Sequence, residues 1–241
     1  MINKNILTSV ISKYYLNGIN NQVKWRIKNN TLTVYAGEGG RVCKIEANNL
    51  PLEDSELGIF DTHKLSKLLS ITSGDLLISL EKIKSVYTKM HIQDSNFDLT
   101  YSLADVLILG KNTWVEDPDE WVIELDLSLE DINHLIKAKT ALLDVDSMLI
   151  TTTTDFDKNP TCEFIFGDNT GFSNKITYKV QGGIINDIDL NIPYNSDVFR
   201  DILNNNKDQD TCSLKLADNG ILKIEFSSKN IKSTYFIARN E

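Results

Sequence analysis

The sequence predicts an α+β protein of two similar domains, each with two helices packed on antiparallel sheets. Three observations predict it. Most of the chain alternates apolar and polar residues over short stretches, the period of half-buried strands. Four segments depart from that period and carry apolar residues at helical spacing. These begin at Asn3, Asp61, Ser128 and Tyr194, 58, 67 and 66 residues apart, so one helix followed by several strands recurs four times.

The first helix, Asn3–Tyr15, aligns Ile6, Leu7, Val10, Ile11 and Tyr14 on one face. Strands follow at Val23–Ile27, Thr31–Tyr35 and Val42–Ala47, with turns at Asn29–Asn30 and Gly37–Gly40. The second helix opens on Asp61 as N-cap, runs to Ser70 and carries Leu65, Leu68 and Leu69. Leu76–Leu80, Lys84–His91 and Phe97–Leu103 are the next strands, and Phe97, Leu99, Tyr101 and Leu103 occupy every second position of the last. Trp121–Leu127 precedes the third helix, Ser128–Lys139, which starts with a capping-box-like Ser-Leu-Glu-Asp and carries Leu129, Ile132, Leu135 and Ile136. Met148–Thr152, Glu163–Phe166 and Lys175–Gln181 lead to the fourth helix, Tyr194–Asn204, with Val198, Phe199, Ile202 and Leu203. Leu214–Leu216, Leu222–Phe226 and Thr234–Ala238 complete the chain. This pattern divides it into domains at 1–106 and 121–241, joined by 107–120. That linker has an apolar start, a lone Trp114 and four acids around Pro118. It is either a plain solvated connection or one whose Leu107, Leu109 and Trp114 form part of a docking surface.

Composition removes several function classes. The 241 residues hold 25 basic and 34 acidic side chains, a net charge of −9, with 41% apolar residues, too apolar for disorder. No apolar run approaches the ~20 residues that span a bilayer, and the N-terminus shows no secretory signal, so a cytoplasmic protein without a membrane partner is expected. Three widely spaced cysteines, Cys43, Cys162 and Cys212, argue against a disulfide framework or a zinc site. The charge is uneven: residues 1–106 carry 12 basic and 11 acidic groups, residues 107–241 carry 13 and 23. Bulk attraction to a polyanion is therefore excluded, and contact with one must come from a few lysines on one surface.

Catalytic motifs are missing. His63, His91 and His134 have no metal-ligand spacing, and neither GxSxG nor GxxxxGK[ST] occurs. Gly37–Gly40 leads into a strand, not a helix, and is a hairpin turn rather than a phosphate cradle. Asp155–Asn159 begins like a calcium loop but lacks its Gly and its bidentate Glu. No enzyme and no cofactor are expected.

The helices carry the remaining signal. Lys64 and Lys67 lie away from the apolar side of the second helix, whose sole acid is the N-cap Asp61. Lys4 and Lys13 flank the polar face of the first, which has no acid. Lys137 lies opposite the apolar stripe of the third helix, with Lys139 closer to the apolar side. Arg200 and Lys207 oppose Val198 and Ile202 in the fourth, near Asp197 and Asp201. An acidic chain that keeps its first two helices almost free of acid has a basic surface there.

Four stretches carry a family resemblance: Ile59-Phe60-Asp61-Thr62-His63-Lys64-Leu65-Ser66-Lys67-Leu68-Leu69, Leu127-Ser128-Leu129-Glu130-Asp131-Ile132, Asn174-Lys175-Ile176-Thr177-Tyr178-Lys179, and Tyr235-Phe236-Ile237-Ala238. In this order they resemble the DNA polymerase sliding clamps, the processivity factors, of the two-domain type and closest to those of T-even-like phages. The resemblance implies a sliding-clamp fold and a homotrimeric ring around double-stranded DNA, opened by an ATP-dependent clamp loader. It implies hole-lining roles for Lys4, Lys13, Lys64, Lys67, Lys137, Lys139, Arg200 and Lys207. Ring closure would join Phe97, Asp98, Leu99 and Tyr101 to Ile176, Tyr178 and Lys179 of a neighbour. DNA polymerase and loader peptides would dock at Val42, Leu107, Leu109, Trp114, Phe236 and Ala238. The third and fourth helices are less basic than such a clamp would have. A β-rich viral structural or interaction protein, and a hydrolase using scattered carboxylates, are the rival readings of the same sequence.

Overall fold

Four times along the chain a short leading strand runs into one helix and then into three further strands. The computed structural model describes residues 1–38, 40–110, 114–154, 159–167, 174–186 and 192–240, with Glu38, Ile184 and Ile185 described by backbone alone. The first pass is β1 (Ile2–Asn3), α1 (Lys4–Tyr15), β2 (Val23–Lys28), β3 (Thr31–Glu38) and β4 (Arg41–Ala47). The second is β5 (Ser55–Ile59), α2 (Thr62–Ser70), β6 (Asp75–Ile83), β7 (Val86–Gln93) and β8 (Asp98–Ser102). The third is β9 (Ile123–Asp126), α3 (Leu129–Ala141), β10 (Ser147–Thr154), β11 (Pro160–Phe166) and β12 (Ile176–Gln181). The fourth adds β13 (Ile184–Ile185) before β14 (Ile192–Asn195), α4 (Ser196–Asn206), β15 (Thr211–Leu216), β16 (Leu222–Ser227) and β17 (Ile231–Ile237).

Two compact units result, Met1–Trp114 with Ser228–Ser233, and Val115–Ser227 with Thr234–Glu241. The boundary between the units falls within 107–120, between Trp114 and Val115, and Ser228–Ser233 belongs to the first unit. In the first unit β1 pairs with β6, which continues to β7 and β8, while β5 pairs with β2, which continues to β3 and β4. In the second, β14 pairs with β10, which continues to β11 and β12, while β9 pairs with β15, which continues to β16 and β17. Each half therefore lends its leading strand to the meander of the other half. All the pairings given for these sheets are antiparallel.

Helix starts follow side-chain caps. Asn3 accepts from the Asn5 N–H, Asp61 from Lys64, and Ser128 and Asp131 form a reciprocal capping box. The fourth helix begins later than its periodicity predicts. Asn195 accepts from the Val198 N–H at 2.9 Å and so fixes the first turn at Ser196, while Tyr194 lies buried in β14 with its hydroxyl donating to the Gly220 carbonyl at 3.0 Å. Leu129, expected on the apolar stripe of α3, is exposed because it occupies the opening position of the helix, before the buried side begins at Ile132.

In the first unit α1 packs on β3, β4 and α2, burying Leu7, Val10, Tyr14, Leu65 and Leu69 over Trp25, Val34 and Ile45. In the second, α3 packs on α4, β11 and β12, and α4 on β10 and β14, with Phe164 stacked on Phe199 at 6.0 Å. The Gly37 turn is a hairpin between β3 and β4: Gly37 has φ +115, and a Cβ there would meet the Arg41 carbonyl oxygen at 2.0 Å. Gly39 and the calcium-like Asp155–Lys158 lie outside the described residues. Cys43, Cys162 and Cys212 are free and buried, and burial pushes the Cys43 and Cys162 thiols up to about 12.

Candidate nucleic-acid interface

The second helix shows most directly how sequence becomes surface. Thr62, Leu65 and Leu69 turn inward, so His63, Lys64 and Lys67 are left on the outer side, with the N-cap Asp61 as the nearest acid of the helix. Lys64 and Lys67 are three residues apart and form one cationic strip. Lys4 is half-buried, and its ammonium donates to the carbonyls of Ser70 (3.3 Å) and Thr72, which ties the start of α1 to the C-terminal end of α2. Its charge serves the helix end first.

Two expected surface cations are in the core. Lys13 and Lys139 are fully buried, which withdraws both from any surface able to meet a phosphate. At Lys139 the start of α4 covers a flank that a lone amphipathic helix would leave in water. The Lys139 ammonium donates to the carbonyls of Leu142 (3.3 Å) and Leu143 (3.2 Å) and lies 3.3 Å from the Asp197 carboxylate at the start of α4. It pins two helices together. Lys137 is exposed, as is Lys207 just past α4, with its ammonium 3.3 Å from Asn204 Oδ1. Arg200 is held at 3.0 Å by Asp197 and at 2.9 Å by Asp201, so its guanidinium is already neutralised within the helix.

The two strands expected to meet between subunits are both edge strands. β8 ends the sheet β1-β6-β7-β8, and β12 ends the sheet β12-β11-β10-β14. Phe97 is 40% exposed just before β8, Asp98 is exposed and Leu99 half-buried. Tyr101 is a correction. It is 1% exposed, its hydroxyl donates to the Asp61 carbonyl at 3.0 Å and accepts from the Asp61 N–H at 3.1 Å, and it supports the α2 cap instead of a surface. On β12, Ile176 and Tyr178 are half-buried, while Lys179 is exposed and paired at 2.7 Å with Glu163 of β11.

Tyr178 ties this edge to a helix. Its hydroxyl donates to Asp131 Oδ1 at 2.7 Å, and His134 Nδ1 lies 3.3 Å away. Burial is the main cause that pushes the Tyr178 phenol up to about 12, and the bond to Asp131 and its charge add to it. Burial also opposes ionisation of Asp131, but bonds from Ser128 and Tyr178 outweigh it and hold the carboxyl below its ordinary value. The folded-state value of Tyr178 lies above the ordinary phenol value of 10.0, so its stabilisation is complete below that pH and is lost as pH rises toward about 12. In an alkaline absorbance titration Tyr178 is expected to ionise late. Asp131→Asn should bring that step down toward the ordinary tyrosine range, and an unchanged step would break the link.

Of the docking candidates, Val42, Leu109 and Phe236 are buried and offer little area, while Leu107, at 86% exposure, Trp114 and Ala238 are exposed. The Trp114 ring stands edge-on to Tyr35 at 5.5 Å. In the first unit Leu107 borders a groove of about 360 Å³ whose other walls include Val86, Tyr87, Ala104 and Val106. Sequence reasoning missed Val86 and Tyr87, which read only as strand residues. The turn before them shows only in the structure, where Lys84 has φ 58. Among the described residues no three His, Cys, Asp or Glu side chains are placed to hold a metal ion. Among the described residues no helix is long and apolar enough to cross a membrane.

A duplicated unit of two helices on exchanged antiparallel sheets, used twice, defines a class of fold: that of the sliding clamps. The chain matches no family model and no curated protein. Among solved structures it is similar to A. fulgidus PCNA, solved with the C-terminal region of FEN-1 bound, with a TM-score of 0.75 at 13% identity over 100% of this chain and 97% of that one. It is likewise similar to the proliferating cellular nuclear antigen of Entamoeba histolytica, with a TM-score of 0.74 at 14% identity over 99% and 96%. The fold is the PCNA-type clamp fold. Both structures are cellular, one amoebal, so the leaning toward T-even-like phage clamps narrows to the fold these proteins share.

Proposed function

We propose that this protein is a sliding clamp, a non-catalytic ring of three copies that encircles duplex DNA and tethers a replicative polymerase to it. The observation that carries this reading is the outer side of α2, where Lys64 and Lys67 stand with the N-cap as the only acid of their helix on a chain of net charge −9. Encirclement explains that combination. Retention by topology needs no tight grip, and a few lysines facing the phosphates suffice while the rest of the surface stays acidic. Lys137 and Lys207 are the matching cations of the second unit, with Lys4 and Arg200 contributing less because their charges are already engaged.

The open edges of β8 and β12 support ring closure. An uncovered edge strand presents unpaired N–H and C=O groups, and a head-to-tail joint between two different edges closes by rotation. Polymerase and an ATP-driven loader would dock beside Leu107 and Trp114. No cofactor enters this role, and the ring would work in the cytoplasm, in that of the host if a phage encodes it. The expected particle is a trimer near 82 kDa, three times 27.2 kDa. Light scattering at micromolar concentration tests this, and a strict monomer would overturn the ring. Primer extension on circular DNA with the cognate polymerase and loader tests the tether: product length should rise when the protein is added.

A further inference from the structure

Asp94 sits in the turn between β7 and β8, outside every role above. Its Oδ1 accepts the backbone N–H groups of Asn96 and Phe97, both at 2.7 Å, and its own N–H donates to the Phe97 carbonyl at 3.0 Å. These bonds set the turn from which the chain enters β8. Its Oδ2 makes a bond the turn does not require, accepting the Ser73 N–H at 2.7 Å with the Ser73 hydroxyl 3.5 Å away. Ser73 lies just past α2, in a loop that Lys4 holds through the Ser70 and Thr72 carbonyls. Bonds from the Asn96, Phe97 and Ser73 N–H groups keep the Asp94 carboxyl below its ordinary value.

The opposite end of α2 is tied to the same strand. Tyr101 of β8 accepts the Asp61 N–H and donates to the Asp61 carbonyl, which also takes the Leu65 N–H at 3.1 Å in the first helical turn. The Phe60 ring stacks on Tyr101 at 6.2 Å. A nine-residue helix is thus fastened at both ends to one five-residue strand and the turn that leads into it. The fastenings span 40 residues of chain at one end and 21 at the other. That strand is the edge of its sheet, and that helix carries Lys64 and Lys67. The second unit repeats the N-terminal fastening, with Tyr178 of the edge strand β12 donating to Asp131 of α3.

We propose that Asp94 and Tyr101 are positioning residues that join α2 and β8 into one cooperative unit, so that the edge strand opens only together with the lysine-bearing helix. A body held to another at two separated points cannot turn away from it without breaking one of the attachments. Asp94 is the more direct link, because a single short carboxylate grips the entry to β8 with one oxygen and the exit from α2 with the other. In the ring, β8 would be the joint and α2 would face the duplex. That meaning rests on the clamp reading; the coupling does not. A loader that parts the joint would then withdraw Lys64 and Lys67 from the phosphates in the same step.

Hydrogen–deuterium exchange on the full-length protein, read by mass spectrometry, tests the coupling. Asp94→Ala should speed exchange about tenfold in both 62–73 and 96–102 and leave β2 and β3 within about twofold of wild type. Tyr101→Phe should act on the same two segments. Asp94→Asn keeps one acceptor oxygen and should change them less, by about threefold. Faster exchange confined to 94–97 in Asp94→Ala overturns the proposal. So does an equal rise in β2 and β3, which marks a loss of stability throughout the unit. Sedimentation of the same variants reads the joint: the dissociation constant of the trimer should rise about tenfold in Asp94→Ala, and an unchanged constant overturns the role there. A monomeric wild type sinks the clamp reading and leaves the exchange pattern to decide the coupling. A wild-type trimer whose Asp94→Ala variant changes only in the turn does the reverse.

Discussion

Replacing Lys64 and Lys67 together by Glu is expected to abolish clamp-dependent processive synthesis while leaving the trimer intact. Both side chains are exposed on α2, and among the described residues neither has a side-chain partner whose loss would unfold the helix. Surface substitutions of this kind change stability by about 0.5 kcal/mol or less. The electrostatic change is far larger, four charge units per protomer. Every lysine withdrawn from a phosphate takes about one unit off the slope of log binding against log salt, so reversal of six lysines in a ring should turn weak attraction into repulsion. The assay is product length against salt, with native mass as control. The matching variant in the second unit, Lys137→Glu with Lys207→Glu, should cost less, because Arg200 there is already held by Asp197 and Asp201. Wild-type processivity in the Lys64 and Lys67 variant would show that α2 does not face the duplex.

Dissociation of the ring is the second large effect. Phe97→Asp combined with Ile176→Asp is expected to convert the particle from near 82 kDa to 27.2 kDa. Phe97 precedes one edge strand and Ile176 opens the other, and both retain exposure within the subunit. The protomer should therefore keep its fold. Placed at a joint, each carboxylate would have to be desolvated without a partner, a cost of several kcal/mol per ion. A circular-dichroism melt checks that the monomer is folded, and analytical ultracentrifugation reads the mass. A persistent trimer would move the joint away from β8 and β12.

Both predictions depend on how far local pattern exposes function. The exposure of Lys64, Lys67 and Lys137 was legible because each sits on a helix whose buried side is set by its own apolar spacing. Lys13 looks similar in sequence and Lys139 lies closer to the apolar side of its helix, but only packing shows that both are fully buried. Tyr101 misleads for a related reason: alternation places it on the apolar face of an edge strand, yet its hydroxyl is consumed by the Asp61 backbone. The ion pair of Lys223 with Asp117 was illegible altogether, since the two residues are 106 apart in the chain.

Composition, period and caps determined by themselves that this chain forms four helices among many strands, where each helix begins to within two residues, and that its second helix is basic on an acidic protein. These are short-range quantities, decided by residues within one or two turns of each other. Tertiary structure alone decided the exchange of leading strands between halves. β1, with two residues, and β14, with four, are too short to show a period, and they become strands because β6 and β10 offer them hydrogen-bonding partners. It also decided which lysines keep their water. A side chain's solvation depends on what folds over it from elsewhere in the chain, and no local pattern carries that information.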